Sequence, residues 1–176
     1  MSKSVRVFSG NLWWGKADPD GLIDLIRRHQ IDVFAAQELG FENAEAISSA
    51  LPFGVLEPAP VESGYQGMGI ALRNPARYEQ VPLRFRPARR VTLDPSEWEG
   101  LTRPLDFLNV HFQAPHSMKP FPSFRVRAQQ ATDLERFLEA EPSDTQIMVG
   151  DYNATPAWPL YRRVARHFSD AAVLCA

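Results

Sequence analysis

Apolar and polar positions repeat with two different periods along the chain. Val5 and Val7 alternate with polar neighbours and lead to Asn11, which predicts a first strand. Asp18-Pro19 is a cap followed by a proline in the first helical turn. Leu22, Ile23 and Ile26 then share a face, predicting a helix that fades near Gln30. Ile31 to Ala36 is a short apolar run, a buried strand ending at Gln37-Glu38. Asn43 to Ala50 reads as a short helix stopped by Pro52. Four strands follow, over Gly67–Arg73, Tyr78–Phe85, Arg90–Leu93 and Leu105–Phe112, separated by proline, glycine or charge. Phe124, Ala128, Ala131, Leu134 and Leu138 keep helical spacing. Gln146 to Val149 is another buried strand, running into Gly150-Asp151-Tyr152-Asn153, and a last helix carries Leu160, Val164 and Phe168. This order, βαβα, then strands, then αβα, predicts a layered α/β fold whose sheet is partly antiparallel.

Composition narrows the class. A chain of 176 residues fits one domain, and 44% hydrophobic against 23% charged residues describes a globular chain rather than a disordered one. Fifteen prolines argue against a helical bundle. A net charge of −2 gives no basic excess of the kind that coats nucleic acid. The single cysteine, Cys175, excludes an internal disulfide and a cysteine-cluster zinc site, and fits a reducing compartment. The N-terminus lacks the apolar core of a secretory signal, and no run of 18 apolar residues exists to span a bilayer. A cytoplasmic location is the expectation.

The candidate chemistry stands where the buried strands end. Asn11 closes the first strand and Glu38 the second; LDFLNV delivers His111; QIMVG delivers Asp151, with Asn153 two residues on. Side-by-side strands bring such ends to one edge, where sites of α/β folds form. One Glu, one Asp, two Asn and a His make an oxygen-rich set suited to Mg²⁺ or Mn²⁺. A carboxylate at the end of an apolar strand is costly to bury unless paired or bound to a cation. Taken singly, Asn11 reads equally as a turn cap, Glu38 as a solvated strand end, Gly150-Asp151 and Asn153 as turn chemistry, and His111 as a hydrogen-bonded core residue. Their joint occurrence, each after an apolar run, is what singles them out.

With those residues in place, the chain resembles the endonuclease/exonuclease/phosphatase superfamily. The matching pieces are FSGNLWW around Asn11, AAQELG around Glu38, GMGIALR, LNVHF around His111, Arg127-x-x-Gln130 with Leu134, and VGDYNATP around Asp151 and Asn153. The resemblance implies a four-layer α/β/β/α sandwich of two mixed sheets over residues 1–176 as one domain. It implies a divalent-metal-dependent phosphoesterase of nuclease or phosphatase type. Glu38 would ligate Mg²⁺ (or Mn²⁺), with Asn11 helping to hold the metal or its waters. Asp151 would orient or deprotonate the attacking water, Asn153 would hold Asp151 or the phosphate, and His111 would hydrogen-bond the scissile phosphate. The implied substrate is a phosphate ester of a nucleic acid, a phospholipid or a sugar.

The family's closing Ile-Asp-His and Ser-Asp-His motifs have no counterpart, because Ser169-Asp170 is followed by Ala171. The expectation is a chain shortened at its C-terminal end, missing its last strands, with hydrolysis slow or absent. The alternative is a non-catalytic relative that binds a phosphate-bearing partner. A serine esterase is disfavoured, as no Gly-x-Ser-x-Gly elbow exists. His29 and His167 read as helix residues and His116 as a loop residue. Arg84, Arg86, Arg89 and Arg90 form a basic stretch that either holds substrate phosphates or is a solvated edge that keeps sheets from pairing. Trp13, Trp14 and Trp98 are candidates to stack on a base or a sugar, one of the first two being expected in the core. Phe121 and Phe124, near Lys119 and Arg125, are candidates for a substrate lip.

Overall fold

The computed structural model describes residues 4–115 and 123–174; His116, Lys119, Phe121 and Cys175 lie outside the described residues. Strand β1 (Val7–Asn11) leads to helix α1 (Pro19–His29), whose N-cap is Asp18; its carboxylate accepts from the Gly21 N–H at 3.1 Å. Strand β2 (Val33–Gln37), helix α2 (Phe41–Ala50) and strand β3 (Phe53–Glu57) follow, then a 3₁₀ segment (Val61–Gln66) and strand β4 (Met68–Leu72). The second half contains β5 (Arg77–Val81), β6 (Ala88–Leu93), β7 (Leu105–His111), α3 (Phe124–Ala140), β8 (Gln146–Asp151) and the short helices α4 (Pro159–Val164) and α5 (Ala171–Leu174).

Two mixed four-stranded sheets result. In the first, ordered β1-β2-β4-β3, β1 and β2 are parallel and β4 is antiparallel to both neighbours. In the second, ordered β5-β6-β7-β8, only β7 and β8 are parallel. Val33, Ile70 and Leu72 of one sheet pack with Val91, Leu93 and Phe107 of the other. The alternate residues face helices: Phe34, Ala36 and Ala71 meet Leu22, Ile26 and Ile47, while Leu108 and Val110 meet Ala131, Leu134 and Leu160. The layers are thus α/β/β/α, as expected. Every residue of β2 and β4 is buried because both faces are covered, which is why they read as unbroken apolar runs.

Several boundaries differ from expectation. Strand β3 was not expected: it is a half-exposed edge strand between Pro52 and Pro58, with Gly54 at φ 101°, and lacks a clean alternation. Strand β5 stops at Val81, ahead of Pro82, rather than at Phe85. Helix α4 ends at Val164, so His167 is an exposed residue beyond it. Trp98 is no stacking platform; it is 3% exposed among the residues between the sheets, and its indole N–H donates to the Pro75 carbonyl at 2.8 Å. Among the described residues no helix is long and apolar enough to cross a membrane.

Candidate active site

Parallel pairing sets the site. Asn11 lies in register with Gln37, one residue before Glu38, and His111 lies in register with Asp151. All four side chains therefore gather where the parallel strands of both sheets end. The sheets are joined just beneath by Asn109, which is fully buried. Its amide donates to the carbonyls of Ala36 (3.0 Å) and Gly69 (2.9 Å) and accepts from Gln37 Nε2 at 2.7 Å.

His111 is at the centre. Its Nε2 lies 3.8 Å from Glu38 Oε1 and 3.7 Å from Asp151 Oδ2, too long for direct hydrogen bonds. Burial, reinforced by the nearby Arg86 guanidinium, pushes the imidazole pKa down to about 3 against the pull of Asp151. The ring is therefore neutral at pH 7, offering one N–H donor and one acceptor. Asp151 is fixed through both oxygens. Oδ2 accepts from Asn11 Nδ2 at 2.9 Å, and Oδ1 accepts from the Asn153 N–H at 2.8 Å. Asn153 in turn donates from Nδ2 to the Phe112 carbonyl at 3.0 Å. Glu38 accepts from the Trp14 N–H through Oε2 at 3.0 Å, so Oε1 is the oxygen that faces His111.

The backbone around this centre is unusual. Trp13, Trp14, Glu38, Phe85 and Asn153 all have φ between 47° and 70°. Each non-glycine residue in this region costs about 1 kcal/mol, and such residues concentrate at functional sites. Gly15 and Gly40 make the first turn possible. A Cβ on Gly15, itself at φ 74°, would come within 2.6 Å of the Gly40 Cα. That contact presses the Trp13-Trp14 turn against the segment carrying Glu38.

The basic stretch divides by strand geometry. Only Arg86 joins the cluster, donating to the His111 carbonyl at 3.0 Å. Arg90 is not at the site: it is buried against Asp106 at 2.8 Å, and it also faces Glu79 and Glu141. Arg89 is paired with Glu57. Arg84 is exposed, and its backbone N–H donates to Asp133 at 3.0 Å. Arg127 was placed on α3 by the sequence without a role. It is 2% exposed, donates to the Asn153 carbonyl at 2.9 Å, and stacks over Trp158 at 4.8 Å. From the same helix, Gln130 accepts from the Gln113 N–H at 2.9 Å. One face of α3 thus secures both loops that follow His111 and Asp151. The signal was the Arg127-x-x-Gln130 spacing, polar residues at i and i+3 on an apolar face. Of Trp13 and Trp14, neither is in the core; they are 68% and 44% exposed.

Among the described residues, no group of three or more His, Cys, Asp or Glu side chains is arranged to hold a metal. The donor set nevertheless fits magnesium. A single part-buried carboxylate with amide oxygens nearby matches an ion that retains most of its waters and takes one or two carboxylates.

Two mixed sheets in an α/β/β/α sandwich, with this oxygen-rich centre at the parallel strand ends, define a phosphoesterase-type fold. The model of the Endonuclease/Exonuclease/phosphatase family matches residues 8–173, and the chain belongs to that family. Similar solved structures agree in fold. A Staphylococcus aureus beta toxin variant with bound magnesium ions is 15% identical, with 93% of this chain and 70% of that chain covered at a TM-score of 0.65. A family protein from Bacteroides thetaiotaomicron is 17% identical, covering 94% and 69% at 0.69. The mannosyl-6-phosphatase of Bacteroides thetaiotaomicron is 17% identical, covering 93% and 71% at 0.69. Comparison with curated proteins gives no match.

Proposed function

We propose that this chain hydrolyses a phosphate ester with a divalent metal ion, water being the nucleophile. The observation that carries the reading is that the Glu38 and Asp151 carboxylates both lie within 4 Å of one neutral imidazole nitrogen. Glu38, assisted by Asn11, would hold Mg²⁺. When bound, the ion neutralises charge on the non-bridging phosphate oxygens. Asp151, with each oxygen already held by one hydrogen bond, keeps lone pairs free to take a proton from water. His111 donates to a phosphate oxygen without carrying charge, and Arg86 behind it adds a fixed positive field. Asn153 holds Asp151 in place through its backbone N–H.

The test is magnesium-dependent hydrolysis of a simple phosphodiester and a simple phosphomonoester. Glu38→Ala and Asp151→Asn are each expected to lose at least about 10²-fold in rate. Undiminished turnover in either variant rejects the site. Metal and phosphate binding with no turnover in the parent protein replaces this reading with that of a non-catalytic binder.

A further inference from the structure

The turn after β1 exposes two tryptophans at the edge of the centre. Its main chain is tied into that centre: the Trp13 N–H donates to Asn11 Oδ1 at 2.9 Å and the Trp14 N–H to Glu38 Oε2 at 3.0 Å. Its side chains are not packed away; Trp13 is 68% exposed and Trp14 44%. Both residues adopt a left-handed backbone, at φ 49° and 59°, that a bulky side chain rarely takes. Tyr65 adjoins them, its ring 6.4 Å from that of Trp14. Arg86 lies 5.8 Å from the Tyr65 ring and reaches the His111 carbonyl. The Lys16 ammonium lies 5.1 Å from the Trp13 ring and 5.9 Å from the Trp14 ring. Aromatic faces and cations thus run continuously from the rim to His111.

We propose that Trp13, Trp14 and Tyr65 form a stacking subsite for unpaired nucleobases, with Lys16 holding the adjoining phosphate. This rests on the phosphoesterase reading of the neighbouring centre and names its substrate class as a single-stranded nucleotide chain. Every base offers a π-face, so exposed indoles beside a cation bind such chains without reading sequence. A lipid surface is the poorer fit. With the Lys16 ammonium at the rim, the rings lead inward through Tyr65 and Arg86 to the His111 carbonyl, a path for an extended chain rather than for a flat headgroup layer. Beside a phosphodiester the same ammonium is paired.

Binding separates this subsite from catalysis. Intrinsic tryptophan fluorescence of the full chain in EDTA, titrated with hexathymidylate and with a base-free deoxyribose-phosphate hexamer, reads stacking alone. Hexathymidylate is expected to quench and to bind more tightly than the base-free chain. Trp13→Ala and Trp14→Ala should each weaken hexathymidylate binding by roughly 5- to 100-fold. Trp14→Phe, which keeps a ring, should retain binding, and circular dichroism should show each variant folded. Equal binding of the two hexamers overturns the proposal. So does unchanged affinity in both alanine variants, or quenching by phospholipid vesicles but not by hexathymidylate. Stacking without any magnesium-dependent cleavage would refute the hydrolytic reading and leave the subsite standing. Cleavage of hexathymidylate unaffected by the alanine variants would refute the subsite and leave that reading standing.

Discussion

Asn11 Nδ2 donates to Asp151 Oδ2 at 2.9 Å across 140 residues of sequence, joining the last residue of β1 to the last residue of β8. The two strands belong to different sheets, so this bond spans the sandwich at the edge that carries the candidate site. Asn11→Ala leaves one oxygen of Asp151 unrestrained. Hydrolysis is expected to fall by about 10-fold or more through lost orientation, with melting temperature little changed because the pair is solvent-accessible. Single-turnover rates beside thermal melts check this; an unchanged rate removes Asn11 from the machinery.

Arg127 acts on the same carboxylate at one remove. It holds the carbonyl of Asn153, whose N–H holds Asp151. Arg127→Met keeps the bulk against Trp158 but drops the hydrogen bond. The rate constant should fall by about 10-fold while KM stays near its parent value. Arg127→Lys should not restore it, since an ammonium lacks the planar fork that stacks and donates together. Rescue by lysine would reduce Arg127 to a simple charge.

Asn109 is the polar rivet between the sheets. Asn109→Leu removes the side-chain donor from the buried Ala36 and Gly69 carbonyls and one of three acceptors from Gln37 Nε2, which keeps Ser9 Oγ and the Ala35 carbonyl. A buried group that loses its partner costs about 1–3 kcal/mol, so a loss of about 2 kcal/mol or more is expected in urea unfolding. A loss under about 1 kcal/mol would show that the sheets do not depend on it.

Acid stability should track Asp106. Burial alone would raise its pKa. Hydrogen bonds from Arg90, Thr92 and Ser143, with the Arg90 charge, outweigh this and hold it below the ordinary value. A folded pKa below the unfolded one means that the unfolded chain binds the proton more readily. The contribution is therefore complete above about pH 4 and is lost as pH falls through the folded value. Both side chains are only 7% exposed, and Arg90 keeps the more distant Glu79 and Glu141, so Asp106→Asn should cost about 1–3 kcal/mol at pH 7. Melts from pH 7 to pH 3 should show the gap between parent and variant narrowing only below about pH 4; a constant gap would assign the effect to packing.

Much of the molecule follows from the sequence by itself. Buried strands announce themselves as short apolar runs, so β2 and β7 and the polar residues that end them were legible, Glu38 and His111 among them. Helix α1 was equally plain, because the Asp18 cap and its proline act locally. What sequence leaves open is whatever pairing decides. Arg86, Arg89 and Arg90 look alike in one basic stretch. Yet strand alternation turns Arg89 toward Glu57 and Arg90 toward Asp106, and only Arg86 reaches His111. The half-exposed β3 exists because β4 offers it an edge. One of Trp13 and Trp14, next to a strand, reads as core, yet the turn that brings Gly15 against Gly40 leaves both exposed. Local periodicity and capping are written in neighbouring residues, whereas register, strand order and the meeting of Asn11 with Asp151 depend on contacts between distant segments.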